Sequence, residues 1–112
     1  PNIRPMMDFF HFWTNSTDFQ ELEILQPSEL AHVHFQDVVD TPPKFIDNDS
    51  RVIPGDGAAP LVCFIRKLSE KQYTGALSVE LFRSDFVNGD PFRVANEIRK
   101  KCETIMHEAQ AT

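Results

Sequence analysis

The sequence predicts an α/β fold in which short parallel strands alternate with helices. In residues 60–68 and 91–106, apolar side chains recur every three or four positions, which is the spacing of one helical face. Three apolar runs of strand length lie at residues 2–7, 31–36 and 77–82. Strands that alternate with helices in this way favour parallel pairing through right-handed crossovers.

The first quarter of the chain has two predicted elements. Residues 2–7 are predicted to form a strand that either bends or begins after Pro5, since proline cannot donate a hydrogen bond to a neighbouring strand. Residues 17–25 are predicted to form a short helix that follows the cap-type residues Ser16 and Thr17. Its inward side chains are expected to be Phe19, Leu22 and, at its end, Ile24.

The rest of the chain has clearer helix signals. Residues 37–59, after the second strand, form a long polar loop rich in Asp and Pro. Pro60 suits a first helical turn because its φ angle is fixed. The apolar face of that helix contains Leu61, Phe64, Ile65 and Leu68. The last helix begins with the cap residue Asp90 and with Pro91. Its apolar positions are Val94, Ile98, Cys102, Ile105 and Met106.

Composition and charge exclude some classes of function. The net charge of −6 argues against a nucleic-acid partner, because phosphate binding needs clustered Lys and Arg. No run approaches the ~20 apolar residues that span a membrane, and no signal peptide is visible. Cys63 and Cys102 fall on apolar helix faces and are expected to be buried thiols in a reducing compartment, without a disulfide. We therefore expect a cytoplasmic location.

A sheet of three parallel strands is incomplete by itself. Helices on one side would leave two strand edges unpaired and an apolar inner face uncovered. A complete (β/α)₈ barrel needs about 250 residues, and this sequence has 112. Three explanations are therefore open: a fragment of a barrel, a sheet completed by oligomerisation, or a small open α/β sheet.

Ionisable residues accompany each predicted strand. Asp8 follows the first strand, His34 lies in the second on the same side as His32, and Glu80 lies in the third. The carboxyl ends of parallel strands lie on one face, where ligands bind in such folds. One imidazole and two carboxylates suit Mn²⁺, Mg²⁺ or Co²⁺, with Zn²⁺ as an alternative. The sequence therefore predicts a divalent-metal site at this face.

Each of these residues also has a structural explanation. An Asp after a strand commonly caps a turn or a helix, and paired histidines can be hydrogen-bonded core residues. Burial of Glu80 is costly without a compensating positive charge, which a salt bridge to Arg51 or Arg83 would provide. Four aromatic residues are expected to pack in the core or at the rim, with an apolar pocket wall as the alternative: Phe9, Phe10, Phe12 and Trp13.

Four motifs, taken in order, resemble the C-terminal part of the xylose isomerase-like TIM-barrel superfamily of sugar phosphate isomerases and epimerases. They are residues 8–11 (Asp-Phe-Phe-His), 32–34 (His-Val-His), 51–57 (Arg-Val-Ile-Pro-Gly-Asp-Gly) and 79–82 (Val-Glu-Leu-Phe). The resemblance implies that residues 1–112 are strands six to eight, with their helices, of a single (β/α)₈ barrel domain. The barrel would be incomplete within this chain.

The resemblance also implies roles for five residues. Asp8 and His34 would be metal ligands. His11 and Arg51 would contact the substrate. Glu80 would be both a metal ligand and the catalytic acid or base.

The sequence departs from the family pattern at two points. The second catalytic Glu of the family, a fourth ligand on the fifth strand, has no counterpart before Asp8. Asp37 stands where the family often has a Glu. We therefore expect the isolated chain to be inactive, because it would hold three ligands at most and lack the second carboxylate.

The implied function is that of a divalent-metal-dependent sugar (phosphate) isomerase or epimerase. It would abstract a proton next to a carbonyl of a small sugar or keto acid, through a metal-stabilised enediolate. One alternative is a related metal-dependent dehydratase of the inosose or 3-dehydroshikimate type. An alternative of another class is a non-catalytic α/β fragment that assembles as a homo-oligomer or with the missing N-terminal half of the barrel.

Overall fold

The computed structural model of the protein describes residues 2–15 and 18–110, so the expected caps Ser16 and Thr17 lie outside the described residues. Short 3₁₀ turns lie at Phe19–Ile24, Pro43–Phe45 and Asn48–Ser50. The strands and α-helices, in chain order, are β1 (Met6–Asp8), α1 (Phe9–Asn15), β2 (His32–His34), β3 (Asp37–Val38), β4 (Arg51–Val52), α2 (Leu61–Glu70), β5 (Leu77–Ser78), α3 (Ser84–Val87) and α4 (Pro91–Gln110).

The main sheet confirms the predicted parallel α/β arrangement. Its strands lie in the order β1-β2-β5, and both pairings are parallel. The register places Asp8 opposite His34, and His34 opposite Ser78. The first strand begins after Pro5, whose carbonyl accepts a hydrogen bond of 2.8 Å from the Ala31 N–H. A proline just outside the strand therefore leaves its hydrogen bonding intact.

The hydrophobic core is organised around Phe64 of α2. Its fully buried ring lies 4.3 Å from that of Phe9 and 6.4 Å from that of Phe35, measured between centroids. The predicted apolar face of α2 is confirmed, since Leu61, Phe64 and Leu68 are buried. The core therefore lies between the sheet and the helices that cover one of its faces. Its buried members are Phe9, Leu22, Leu30, Val33, Phe35, Leu61, Phe64, Leu68 and Ile105.

Helix α1 was not predicted. Residues 9–15 form a seven-residue α-helix directly after β1, and the Asp8 carboxylate accepts the His11 N–H at 3.2 Å, as an N-cap does. The helix packs Phe9, Phe12 and Trp13 against the core. These three residues have i, i+3, i+4 spacing after a cap-type Asp, so the sequence did contain a signal for this helix.

The inward position predicted for Ile24 is wrong, because this side chain is 79% exposed. The segment Phe19–Ile24 is a 3₁₀ helix, in which three residues complete one turn. Residues spaced by three therefore share a face, so Leu25 rather than Ile24 follows Phe19 and Leu22 into the core. Its N-cap is Asp18, whose side chain accepts the Gln20 N–H at 2.8 Å.

The long loop at residues 37–59 is more ordered than its composition indicated. Strands β3 and β4 pair antiparallel within it. The buried Asp37 carboxylate accepts four backbone N–H groups at 2.8–3.0 Å, from Val38, Gly55, Gly57 and Ala59. A Cβ atom at Gly57 would collide with the Val38 carbonyl and the Asp37 carboxylate, so only glycine fits there. The Asp37 carboxylate thus fixes the turn that contains Gly55 and Gly57 to strand β3.

Two predicted burial positions on the helices are wrong. Cys63 is exposed, because it is rotated by about 100° from Phe64, away from the buried stripe of α2. On α4 the buried residues are Ile105 and Ala109, whereas Met106 is 40% exposed. Cys102 is half-buried, and both thiols are free. No helix among residues 2–15 and 18–110 is long and apolar enough to cross a membrane.

Substitution of Phe64 tests the organisation of the core. Phe64→Ala should lower the free energy of unfolding by about 3–5 kcal/mol, because it leaves a cavity at the centre of the aromatic cluster. Phe92→Ala is the matched control, since Phe92 is 85% exposed on α4, and it should change stability by less than about 0.5 kcal/mol. Urea denaturation followed by circular dichroism measures both values. Equal losses in the two variants would contradict this core.

Substitution of Asp37 tests the anchor of the loop. Asp37→Asn should lower the free energy of unfolding by about 2–3 kcal/mol, since it removes a charged acceptor and places an amide against backbone N–H groups. Asp40→Asn, at an exposed Asp of the same loop, should have little effect. Thermal unfolding of the two variants makes the comparison. A wild-type melting temperature in Asp37→Asn would contradict the role of this carboxylate.

Candidate metal centre

Three side chains meet where the parallel strands end. Asp8 is the last residue of β1 and His34 is the last residue of β2, directly opposite it. Glu80 lies two residues beyond Ser78, the partner of His34 in β5. One oxygen or nitrogen atom from each of the three side chains lies within 4.8 Å of the other two. The parallel register thus brings together the three residues that the sequence predicted as ligands, while ligation itself stays a prediction.

The distances within this cluster suit a shared metal ion. His34 Nδ1 lies 3.5 Å from Asp8 Oδ2 and 3.3 Å from Glu80 Oε2. Nδ1 is buried, yet neither contact has the geometry of a hydrogen bond. Ligand atoms roughly 2.0–2.2 Å from one ion at tetrahedral angles are about 3.3–3.6 Å apart. His34 Nδ1 therefore lies at the ligand-to-ligand spacing from each carboxylate oxygen, and one imidazole with two carboxylates is a suitable donor set for a divalent ion.

Arg51 places one positive charge beside the two carboxylates, from the loop side. Its buried guanidinium places Nη1 2.9 Å from Asp8 Oδ2 and 3.4 Å from Glu80 Oε2. Its Nη2 atom lies 3.3 Å from His11 Nε2. The two residues expected to contact substrate, His11 and Arg51, thus adjoin the three candidate ligands. Of the two salt bridges considered for Glu80, the one to Arg51 is present.

Two aromatic rings hold the Arg51 guanidinium in place. Its carbon Cζ lies 4.3 Å from the ring centroid of Phe10 and 5.1 Å from that of Phe82. Cation–π contacts of this kind stabilise a cation within about 6 Å of a ring centroid. Phe10 therefore contacts the site, whereas Phe9, its neighbour in α1, packs in the core. Both rings are buried, Phe9 within the core and Phe10 against the Arg51 guanidinium, and the pocket-wall role stays a prediction.

The Asp8 carboxyl is held in its ionised form. Burial opposes its ionisation, but the hydrogen bond and the charge of Arg51 favour it. The His11 N–H and the Gln36 amide donate two further hydrogen bonds to the same carboxylate. The pKa of Asp8 is therefore lowered from its ordinary value. Asp8 thus caps α1 through Oδ1, as one alternative predicted, while its Oδ2 faces the other candidate ligands.

Sequence reasoning missed two residues of the site. Gln36 is fully buried beside Asp8, and Phe82 covers Arg51. A polar residue directly after the apolar Phe35 was a weak signal for Gln36. Nothing local indicated Phe82, because its contact with Arg51 joins distant parts of the chain. The alternative salt-bridge partner of Glu80, Arg83, pairs with Asp85 instead, at 3.1 Å.

A cavity of about 560 Å³ lies elsewhere, between the C-terminal ends of α2 and α4 and the start of β5. Its lining includes Leu68, Tyr73 and Met106 but none of the three candidate ligands. This cavity therefore lies at the opposite end of the sheet from the candidate metal centre. The convergence of ionisable groups is the stronger indicator here, because metal chemistry needs donor atoms rather than volume.

Comparisons with known proteins agree with this geometry. Residues 1–105 match the family described as xylose isomerase-like TIM barrel. The chain is 39% identical over 85 residues to the inosose isomerase of Halalkalibacterium halodurans, which covers 76% of this chain and 30% of that protein. It is 31% identical to the inosose isomerase of Bacillus subtilis, with coverage of 76% and 31%. The chain thus spans about a third of the length of these relatives.

Two solved structures are also similar. A xylose isomerase domain protein from Alicyclobacillus acidocaldarius superposes with a TM-score of 0.82 at 29% identity, covering 98% of this chain and 39% of that one. The IOLI protein with a bound zinc atom superposes with a TM-score of 0.84 at 26% identity, covering 93% and 37%. The expected partial barrel is therefore confirmed, and the chain belongs to the xylose isomerase-like TIM barrel family.

Proposed function

We propose that this chain supplies three ligands of the metal site in a sugar isomerase that acts on a polyhydroxy ketone of the inosose type. The convergence of Asp8, His34 and Glu80 within 4.8 Å carries this proposal. Two findings support it: relatives are named inosose isomerases, and a similar structure holds zinc. An isomerase and the alternative dehydratase would begin with the same proton abstraction, so the site residues do not separate them. The names of these relatives favour the isomerase.

The donor set defines how a metal would be held. Asp8, His34 and Glu80 would bind a divalent ion, with Zn²⁺, Mn²⁺, Mg²⁺ and Co²⁺ as candidates. A bound ion of this kind polarises a carbonyl oxygen and stabilises the negative charge that develops on it. The ionised state of Asp8 suits this role, because a ligand carboxylate must be deprotonated.

The remaining groups would handle the substrate. Glu80 is the most exposed of the three candidate ligands, with 34% of its side chain accessible. This exposure supports the proposal that it takes a proton from the carbon next to the carbonyl. Arg51 Nη1 lies 3.4 Å from Glu80 Oε2, and Arg51 Nη2 lies 3.3 Å from His11 Nε2. Phe10 and Phe82 limit the movement of Arg51, so its donors would meet a substrate oxygen without large reorganisation.

The complete activity would require more of the barrel than this chain contains. The chain spans 30–31% of its inosose isomerase relatives. We propose that residues 1–112 are the C-terminal part of one barrel domain and that the other βα units supply a second catalytic carboxylate. The edges of β1 and β5, each paired on one side only among the described residues, are where those units would pair.

Loss of one ligand should weaken metal binding. His34→Ala should lower the affinity for Zn²⁺ or Mn²⁺ by at least about 100-fold, because it removes the nitrogen ligand and leaves two carboxylates beside Arg51. Titration calorimetry in a chelator-free buffer measures this affinity. The control His107→Ala removes an exposed imidazole of α4 and should bind the ion normally. The proposed site would be refuted by equal affinities in wild type and His34→Ala.

Loss of the proposed base should stop turnover. In the full-length protein, Glu80→Gln should reduce kcat for an inosose by about 10²–10⁴-fold, as removal of a general base does. Exchange of the substrate α-proton with deuterated solvent, followed by NMR, should fall in parallel. Glu108→Gln, at an exposed Glu of α4, is the matched control. Unchanged proton exchange in Glu80→Gln would assign the base to another residue.

A further inference from the structure

Gln36 is a completely buried polar side chain beside the candidate metal centre. Its Nε2 atom donates a hydrogen bond of 2.8 Å to Asp8 Oδ1. We propose that Gln36 is a positioning residue that fixes the Asp8 carboxylate, so that a metal ion meets one of its oxygens only. This inference rests on the proposed function, since it requires Asp8 to be a ligand.

The contacts of Asp8 divide its two oxygens between separate tasks. Oδ1 receives two donors, the Gln36 amide at 2.8 Å and the His11 N–H at 3.2 Å. Oδ2 faces the cluster, 3.5 Å from His34 Nδ1 and 2.9 Å from Arg51 Nη1. Two donors from different elements fix the plane of the carboxylate. Asp8 would therefore bind an ion through Oδ2 alone, because Oδ1 is already saturated.

The orientation of the Gln36 amide is itself determined by Asp8. The reverse orientation would set the amide oxygen against an ionised carboxylate, which is electrostatically unfavourable. In the observed orientation, Oε1 is buried and finds no donor among the residues that the structure describes. An apolar residue of similar size would fill the space without leaving an unpaired acceptor. The contribution of Gln36 is therefore better explained by its bond to Asp8 than by core packing.

Gln36 can reach Asp8 because the pairing of β2 extends past the strand end. The Phe35 N–H donates a hydrogen bond of 2.7 Å to the Ser78 carbonyl. Phe35 is buried in the core on the helix side, whereas His34 and Gln36, on either side of it, both contact Asp8. One chain segment thus supplies a candidate ligand and, two residues later, the group that orients a second ligand.

Metal titration of Gln36→Met in the full-length protein tests this inference. Methionine has a similar volume but cannot donate to Asp8. The affinity for Zn²⁺ should fall by about 10–100-fold, as commonly follows loss of a group that orients a ligand. The melting temperature in a chelator should not fall, since the unpaired Oε1 is removed as well. Gln20→Met, at an exposed position, is the matched control and should match wild type in both measurements.

The visible spectrum of the Co²⁺ form gives a readout that a purely structural role would not change. Loss of the Gln36 donor leaves Oδ1 with the His11 N–H alone, so Asp8 can also approach the ion through Oδ1, and the absorption bands of Gln36→Met should shift and weaken as the coordination number rises. Gln36→Leu also removes the donor to Asp8, so it should show the same spectral change. This second variant keeps the inference testable if Gln36→Met folds poorly.

The results distinguish a failure of the role of Gln36 from a failure of the proposed metal site. In one outcome, the wild type binds the metal while both variants keep the wild-type affinity and the wild-type Co²⁺ spectrum. That result would remove the role of Gln36 and leave the proposed metal site intact. A large drop in the melting temperature of Gln36→Met in chelator, with a wild-type spectrum in Gln36→Leu, would make Gln36 a structural residue. Absence of metal binding by wild type would overturn the proposed function and this inference together.

Discussion

The parallel register of β1, β2 and β5 is the constraint on which the rest of the site depends. Parallel strands end on the same side of a sheet, so side chains at their carboxyl ends become neighbours. Here Asp8 lies opposite His34, and His34 lies opposite Ser78, two residues before Glu80. A shift of one residue in either pairing would turn the side chains to the other face. Phe9, Val33 and Phe64 lock this register from the helix side.

The negative charge of the Asp8 and Glu80 carboxylates is partly balanced by the guanidinium of Arg51. Two carboxylates and an imidazole within 4.8 Å of one another would repel or remain poorly solvated without a positive charge nearby. Arg51 supplies that charge, and its rigid guanidinium touches both carboxylates at once. The same two oxygens are the atoms that a metal ion would bind. The structural ion pair and the metal site are therefore not exclusive alternatives for Glu80, because Arg51 and an ion would contribute positive charge to one acidic cluster.

Prediction from sequence succeeded where local periodicity determines structure. The buried face of α2 followed from the spacing of its apolar residues, since a helix places its side chains by a fixed geometric repeat. The parallel pairing followed from the alternation of strands and helices. It failed where the type of helix changed that repeat. Ile24 was expected inside on an α-helical spacing, but a 3₁₀ helix places Leu25 there instead. Helix α1 was missed because its seven residues follow the strand without a break.

The sequence by itself determined which chemical groups stand at the strand ends, and therefore that Asp8, His34 and Glu80 would share one rim if the strands ran parallel. Only the tertiary structure decided how those groups are oriented. Arg51 is 43 positions from Asp8, and Gln36 is 28 positions from it. No local repeat links residues so far apart in the chain. Their contacts arise because the Asp37 carboxylate fixes the loop and because the sheet register places the end of β2 beside Asp8.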